Sequence, residues 1–322
     1  MKRVQNNELS GVRGFNYQPS HGGHGVEIWG PGFDAAAVAR DLALARELFP
    51  GMNTIRLWLS HDAYLRHGGA CAARFEAALA AADGAGLRVI PVLFNGWHSF
   101  PDFGGISFEQ IEYFGRHRFD LYSGFIEAMV RPHQSDPRIL MWDLCNEPMN
   151  SLRVREHQDV CMTWMRRVYA ACKEAGASAP LCVGSTPDMG ILRLLEPVSD
   201  VLTPHPYFAW NSWVPERRLL AQFLDEAVDF ANECGKAMVA TETGWGALDD
   251  AKRAAILEAE VEEIVDHGLG FTIHLLCHTL VADGHRPEYG PITNAGYMAC
   301  IERDGTLRPH HGFINRFMPA IS

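Results

Sequence analysis

The strongest chemical signal in this chain comes from two glutamates, each closing an apolar run. Glu147 ends Met141-Trp142-Asp143-Leu144-Cys145-Asn146-Glu147-Pro148; Glu242, 95 residues later, sits in Met238-Val239-Ala240-Thr241-Glu242-Thr243-Gly244-Trp245. Two carboxyl groups facing each other across a pocket can share one reaction. One protonates the leaving oxygen of a glycoside while the other attacks the anomeric carbon, as in a retaining glycosidase. That mechanism requires a separation of about 5 to 5.5 Å. Arg56, near the end of the apolar run Thr54-Ile55-Arg56-Leu57-Trp58, needs a partner if buried. His205 precedes Tyr207 by two residues, so on an extended segment both point to one side.

Elements of the right kind surround these residues. Apolar runs of strand length cover 12–17, 54–59, 87–94, 139–145, 181–184, 201–204, 237–241 and 270–276. Several are near-continuous in Val, Ile and Leu, the pattern of parallel strands covered on both faces. Helical patterns at 34–49, 71–85, 154–175, 216–234 and 249–266 lie between them, with Gly51, Gly86, Gly176, Gly235 and Gly268 near their ends. Alternation of this kind predicts an α/β fold, a (β/α)8 TIM barrel. Three strand-helix units separate the two glutamates, which would therefore end strands four and seven on the face where such barrels do chemistry. A closing helix is expected over 294–317, interrupted by a turn at Asp304-Gly305. No repeat or linker marks a second domain, so residues 1–322 are read as one barrel.

Composition narrows the partners. The formal charge is −11, with no run of Lys and Arg, which argues against nucleic acid or an anionic membrane as the main partner. The basic start, Met1-Lys2-Arg3, is not followed by an apolar stretch, so no secretory signal or membrane-spanning helix is expected, although a chain trimmed of its leader would look the same. Eight scattered cysteines without a C-x-x-C pair read as reduced core thiols, which favours the cytoplasm. Oligomeric state is not legible in the sequence.

Asn146-Glu147-Pro148 after an apolar strand, with Arg56, His205-Pro206-Tyr207 and Glu242 on other predicted strand ends, resembles glycoside hydrolase family 5 and its clan of retaining (β/α)8 glycosidases. The resemblance covers nearly the whole chain. It implies that Glu147 is the acid/base and Glu242 the nucleophile, and that Asn146 binds the sugar 2-hydroxyl. It further implies that Arg56 and Tyr207 keep Glu242 ionised and that His205 and Tyr207 line the site of the cleaved sugar. His98 corresponds to the family's histidine after strand three, although Asn95-Gly96-Trp97-His98 is not its usual pattern. Strand eight departs from the family: where a tryptophan forms the floor, this chain reads Ile273-His274-Leu275-Leu276-Cys277-His278. His278 would then contact the sugar, or Trp245 or Trp210 would supply the platform.

Trp29, Trp97, Phe100, Phe103, Trp210 and Trp213 fall in predicted loops at the catalytic end, where aromatic faces stack on sugar rings. Loops at 95–107 and 279–295 are long and rich in Gly, Pro and aromatics. Together they point to short oligosaccharides or small β-glycosides rather than insoluble polymer. No metal or cofactor is expected. His21-Gly22-Gly23-His24, the pair His274 and His278, and His310-His311 lack a third ligand at recognisable spacing. No glycine-rich phosphate loop follows a strand, and no lysine ends one. Two alternatives remain open to the sequence. One is a metal-dependent sugar isomerase or epimerase ligating through Glu147, His205 and Glu242. The other is a carbohydrate-binding barrel that has lost catalysis.

Overall fold

The computed structural model describes residues 2–96, 105–150, 152–208, 216–284, 286–289 and 296–320. Eight parallel strands form one sheet: β1 (Arg13–Tyr17), β2 (Thr54–Trp58), β3 (Arg88–Asn95), β4 (Trp142–Asn146), β5 (Leu181–Ser185), β6 (Val201–Pro204), β7 (Val239–Thr243) and β8 (Gly270–Ile273). They pair in the order β6-β5-β4-β3-β2-β1-β8-β7. The ring closes between β6 and β7, where Leu202 bridges Met238 and its N–H donates to the Ala237 carbonyl at 3.0 Å. This is the expected (β/α)8 barrel, and the strands fall on the predicted apolar runs.

Side chains fill the barrel in layers. Val12, Ile90, Met141, Cys182, Val201 and Val239 form a separate apolar cluster. Arg56 registers with Ile90 across β2 and β3 and with Asn16 across β1, so these three share the inward face. The layer above the apolar plug is therefore polar: Asn16, Arg56, Asp143, Thr241 and Thr272 are all at most 1% exposed. The large core between sheet and helices takes the outward residues, including Phe15, Tyr17, Leu57, Phe94 and Leu144.

The carboxyl-terminal segment departs from the expected closing helix. The turn at Asp304-Gly305 is present, but Ile301 and Leu307 flank it as an antiparallel bridge. Helix follows only as a 3-10 turn at His311–Phe313 running into the single α-turn Ile314–Phe317. Gly296, Gly305 and His310 take positive φ, and Pro309 lacks an N–H, so a continuous helix cannot run through this stretch. Three helices that no periodicity argument singled out, His61–His67, Phe108–His117 and Phe119–Val130, follow β2 and β3 in the chain and pack against neighbouring helices.

Candidate active site

Arg56 is the hub. It is fully buried, with two ion pairs and two amide acceptors around one guanidinium. Nε and Nη2 donate to Asp143 Oδ2 at 3.0 and 2.7 Å, Nη1 to Glu242 Oε2 at 2.7 Å and to Asn16 Oδ1 at 2.6 Å, and Nη2 to Asn146 Oδ1 at 2.8 Å. The Trp58 ring lies beneath it at 4.7 Å. Burial works against the charge, but Asp143 and Glu242 outweigh it and hold the guanidinium above its ordinary pKa. The planar fork suits this task, since one cation must satisfy several fixed acceptors.

Glu242 closes β7 with both oxygens occupied. Oε2 accepts from Arg56, and Oε1 accepts from the Tyr207 hydroxyl at 2.8 Å. Burial, with Glu242 and Glu147 beside it, pushes the Tyr207 phenol well above its usual range, so the hydroxyl remains a donor. Donors on both oxygens, one of them a cation, fix the orientation of this carboxylate, as a nucleophile requires.

Glu147 sits in a different setting. Its Oε1 lies 2.7 Å from His205 Nδ1, and its Oε2 accepts from Asn150 Nδ2 at 2.6 Å. Burial, with Arg56 adding to it, drives the His205 pKa down to about 4 against the opposing pull of Glu242 and Asp143. The imidazole is therefore neutral near pH 7 and carries one N–H. With Glu147 ionised, Nδ1–H donates to it and Nε2 accepts from the Thr241 hydroxyl 3.2 Å away. With Glu147 protonated, its O–H donates to Nδ1 and Nε2–H turns to Thr241. One ring thus accommodates both states of a group that must alternate between acid and base.

Local backbone explains why these side chains converge. Glu147 has φ 44°, in the left-handed region that costs a non-glycine residue about 1–3 kcal/mol. The neighbours over-determine it: the Glu147 N–H donates to the Gly184 carbonyl at 2.9 Å, and the Asn146 carbonyl accepts from Gly96 N–H at 2.8 Å. Gly184 itself lies so close beneath His205 that a Cβ there would sit 2.6 Å from Nε2. Asn146 is held by Arg56 and donates to Asn95 Oδ1 at 3.0 Å.

The structure thus brings Arg56, Asn146, Glu147, His205, Tyr207 and Glu242 into one hydrogen-bonded set. Trp245 is partly buried, and its N–H donates to Glu260 at 3.3 Å behind β7. His278 lines a cavity of about 380 Å³ with Ser20, His21, Asp41 and Glu302, which none of those six residues lines. Trp97, His98 and Trp210 lie outside the described residues, as do Phe100, Phe103 and Trp213. Trp29 is fully buried, its indole N–H donating to the Trp58 carbonyl at 2.8 Å, and so packs rather than lining a cleft.

Sequence reasoning gave no role to Asn16, Asp143 and Trp58, and met His274 only in the divergent strand-eight segment and in a rejected metal pair. Asp143 carried a readable signal, since an acid within an otherwise apolar strand needs a buried cation. Trp58 and His274 were legible only through register. His274 follows Thr272 on the inward face, its ring 6.3 Å from that of Trp58 and its Nε2 3.7 Å from Asp283 Oδ2. These two rings, on β2 and just beyond β8, lie edge to face, and the Trp58 ring also underlies Arg56.

Carboxylate oxygens of Glu147 and Glu242, with a nitrogen of His205, all lie within 4.8 Å of one another. One oxygen of each carboxylate therefore lies near enough to the other for the pair to flank a single scissile bond. The trio would also be close enough to ligate a cation, but Arg56 and Tyr207 already occupy both oxygens of Glu242, and a guanidinium at 2.7 Å repels a metal ion. A barrel arranged this way falls in the class of glycoside hydrolases. Consistently, the family description Cellulase (glycosyl hydrolase family 5) matches residues 9–277, and the chain belongs to that family.

Solved structures share the fold at low identity. An exo-β-1,4-mannosidase, Op5Man5, from Opitutaceae bacterium strain TAV5 aligns at TM-score 0.75 and 19% identity, over 99% of this chain and 61% of its own. The present chain thus spans about three fifths of that protein. A GH5_18 protein from Streptomyces cattleya, in complex with GlcNAc, aligns at 0.74 and 17%, over 98% and 80% of the two chains. An endo-β-1,4-mannanase from Thermotoga petrophila aligns at 0.70 and 18%, over 98% and 77%. No curated protein matches in sequence.

Proposed function

We propose that this chain is a single barrel that hydrolyses β-glycosidic bonds by double displacement. Glu242 attacks the anomeric carbon as Glu147 gives its proton to the leaving oxygen. Glu147 then takes a proton from water, which releases the sugar from Glu242 with net retention. The carrying observation is the pairing of two carboxylates within 4.8 Å in unlike surroundings, one fixed by a cation and a phenol, the other by a neutral imidazole and an amide. In this reading Asn146, anchored by Arg56 and Asn95, binds the sugar 2-hydroxyl.

For substrate we propose short β-linked oligosaccharides or small β-glycosides, with β-mannosides first. The mannosidase and mannanase likenesses support that choice, as does a further GH5_18 structure that holds Manβ1-4GlcNAc. All eight cysteines are unpaired, seven of them buried, which supports a reducing compartment such as the cytoplasm.

A panel of aryl β-glycosides, led by the β-mannoside, tests the reading with the wild type and Glu242→Ala, each with and without azide. Turnover should fall by at least about three orders of magnitude in the variant and recover in part with azide, yielding the glycosyl azide of inverted configuration. Activity that vanishes on chelation instead would move the site to the isomerase class.

A further inference from the structure

Glu260 lies on the helix Asp250–Asp266, which packs behind β7 and β8, and it is fully buried. Its carboxylate meets two loops at once. One oxygen accepts from the Phe208 N–H at 2.9 Å; the other accepts from the Trp245 N–H at 3.3 Å and lies 3.2 Å from the Thr243 hydroxyl. Phe208 follows Tyr207, and Thr243 follows Glu242. The Thr243 hydroxyl is also 3.1 Å from the carbonyl of Pro206, the residue between His205 and Tyr207. One carboxyl behind the barrel is thereby joined to the segment that carries Glu242 and to the segment whose His205 and Tyr207 hold Glu147 and Glu242.

A hydroxyl has one proton, so Thr243 donates either to Glu260 or to Pro206. With Glu260 ionised, the carboxylate receives all three donors. With Glu260 protonated, its O–H donates to Thr243, which then donates to Pro206 and links the β6 and β7 loops directly. Burial pushes this carboxyl up to about 7, against the hydrogen bonds from Phe208, Trp245 and Thr243 and the charge of Arg253. Arg253, buried on the same helix, and the Tyr207 phenol are the titratable groups that act with it.

We infer that Glu260 is a positioning residue: through Phe208, Trp245 and Thr243 it sets where Tyr207 and Glu242 stand, and its protonation turns the Thr243 hydroxyl between the two loops. The effect on turnover rests on the glycosidase reading; the geometry does not.

Glu260→Gln tests it, because the amide keeps the shape and can donate to Thr243 but opposes the Trp245 N–H. Crystal structures of the wild type and this variant should show the Trp245 segment withdrawn and the Tyr207–Glu242 contact lengthened. On an aryl β-glycoside that the wild type cleaves, kcat should fall about ten-fold with KM within about two-fold, and the step in kcat near neutral pH should disappear. Thr243→Val, which removes only the hydroxyl, should abolish the same step. Glu260→Asp should restore it, at reduced kcat. Unmoved Tyr207, Glu242 and His205 in the variant structure overturn the inference, as does an unchanged kcat with only a lowered melting temperature. If the wild type cleaves no glycoside, the glycosidase reading fails, and the crystal structures still decide the positioning.

Discussion

At the scale of single residues, the site is governed by one buried cation. Arg56 spends its donors on Asp143, Glu242, Asn16 and Asn146, so no neutral residue can replace it. Arg56→Met would leave Asp143 and Glu242 buried with no counter-charge. The expected cost is about 3–5 kcal/mol, read as a lowered urea midpoint, with kcat lost beyond what the stability change explains. Arg56→Lys should recover part of the stability but little of the activity, since an ammonium cannot reproduce the fork. Full activity in the lysine variant would show that charge, and not the fixed geometry, is what Glu242 requires.

At the scale of elements, strand ends place these side chains and backbone contacts keep them there. β5 contributes no side chain to the carboxylate pair, yet Gly184 lets His205 lie flat against it. Gly184→Ala would bring a methyl within 2.6 Å of His205 Nε2 and 3.1 Å of Arg56 Nη2. Because strand backbone cannot yield, the imidazole must move, and its 2.7 Å contact with Glu147 breaks. We expect kcat/KM to drop about 100-fold with a destabilisation of only about 1–3 kcal/mol, measured side by side on the same preparation. Equal loss in stability and rate would instead mean that the barrel as a whole had loosened.

For the whole molecule, the balance of buried titratable groups sets how stability follows pH. His61 and His205 have pKa values driven down to about 4, and His311 to about 3, chiefly by burial. Unfolded, each would titrate near 6.5, so below that pH the unfolded chain takes up protons that the folded chain refuses. The stability these groups contribute is complete above about 6.5 and is lost as pH falls toward about 4, by up to roughly 3 kcal/mol for His205. Glu260 has the opposite sign: its pKa is raised from 4.5 to about 7, so its contribution is full below about 4.5 and is lost as pH rises through about 7. Urea unfolding across this range should show a decline on the acid side that is shallower in His205→Gln and a neutral-side decline that is absent in Glu260→Gln. An acid-side slope unchanged in His205→Gln would mean that the imidazole takes up its proton in the folded state.

Much of this was present in the chain as a string of residues. Continuous apolar runs spaced by helical patterns specify a parallel barrel, because strands covered on both faces need no polar alternation. A glutamate after an apolar strand is placed by that fold at the catalytic end, which made Glu147 and Glu242 legible, while the roles of Arg56, Asn146, His205 and Tyr207 came from the family resemblance. Local pattern could not convey contacts set by register between distant strands. That Asp143 and Glu242 share one arginine, that Trp58 and His274 meet across β2 and β8, and that Glu260 reaches two loops from behind the barrel all depend on pairings between residues far apart in sequence. The carboxyl-terminal segment shows the converse, where local propensity suggested a helix and Gly296, Gly305, Pro309 and the bridge of Ile301 to Leu307 imposed another path. Local chemistry determined which residues could react; only the closed sheet decided their distances, their partners and their protonation, because those follow from burial and neighbours that no stretch of sequence contains.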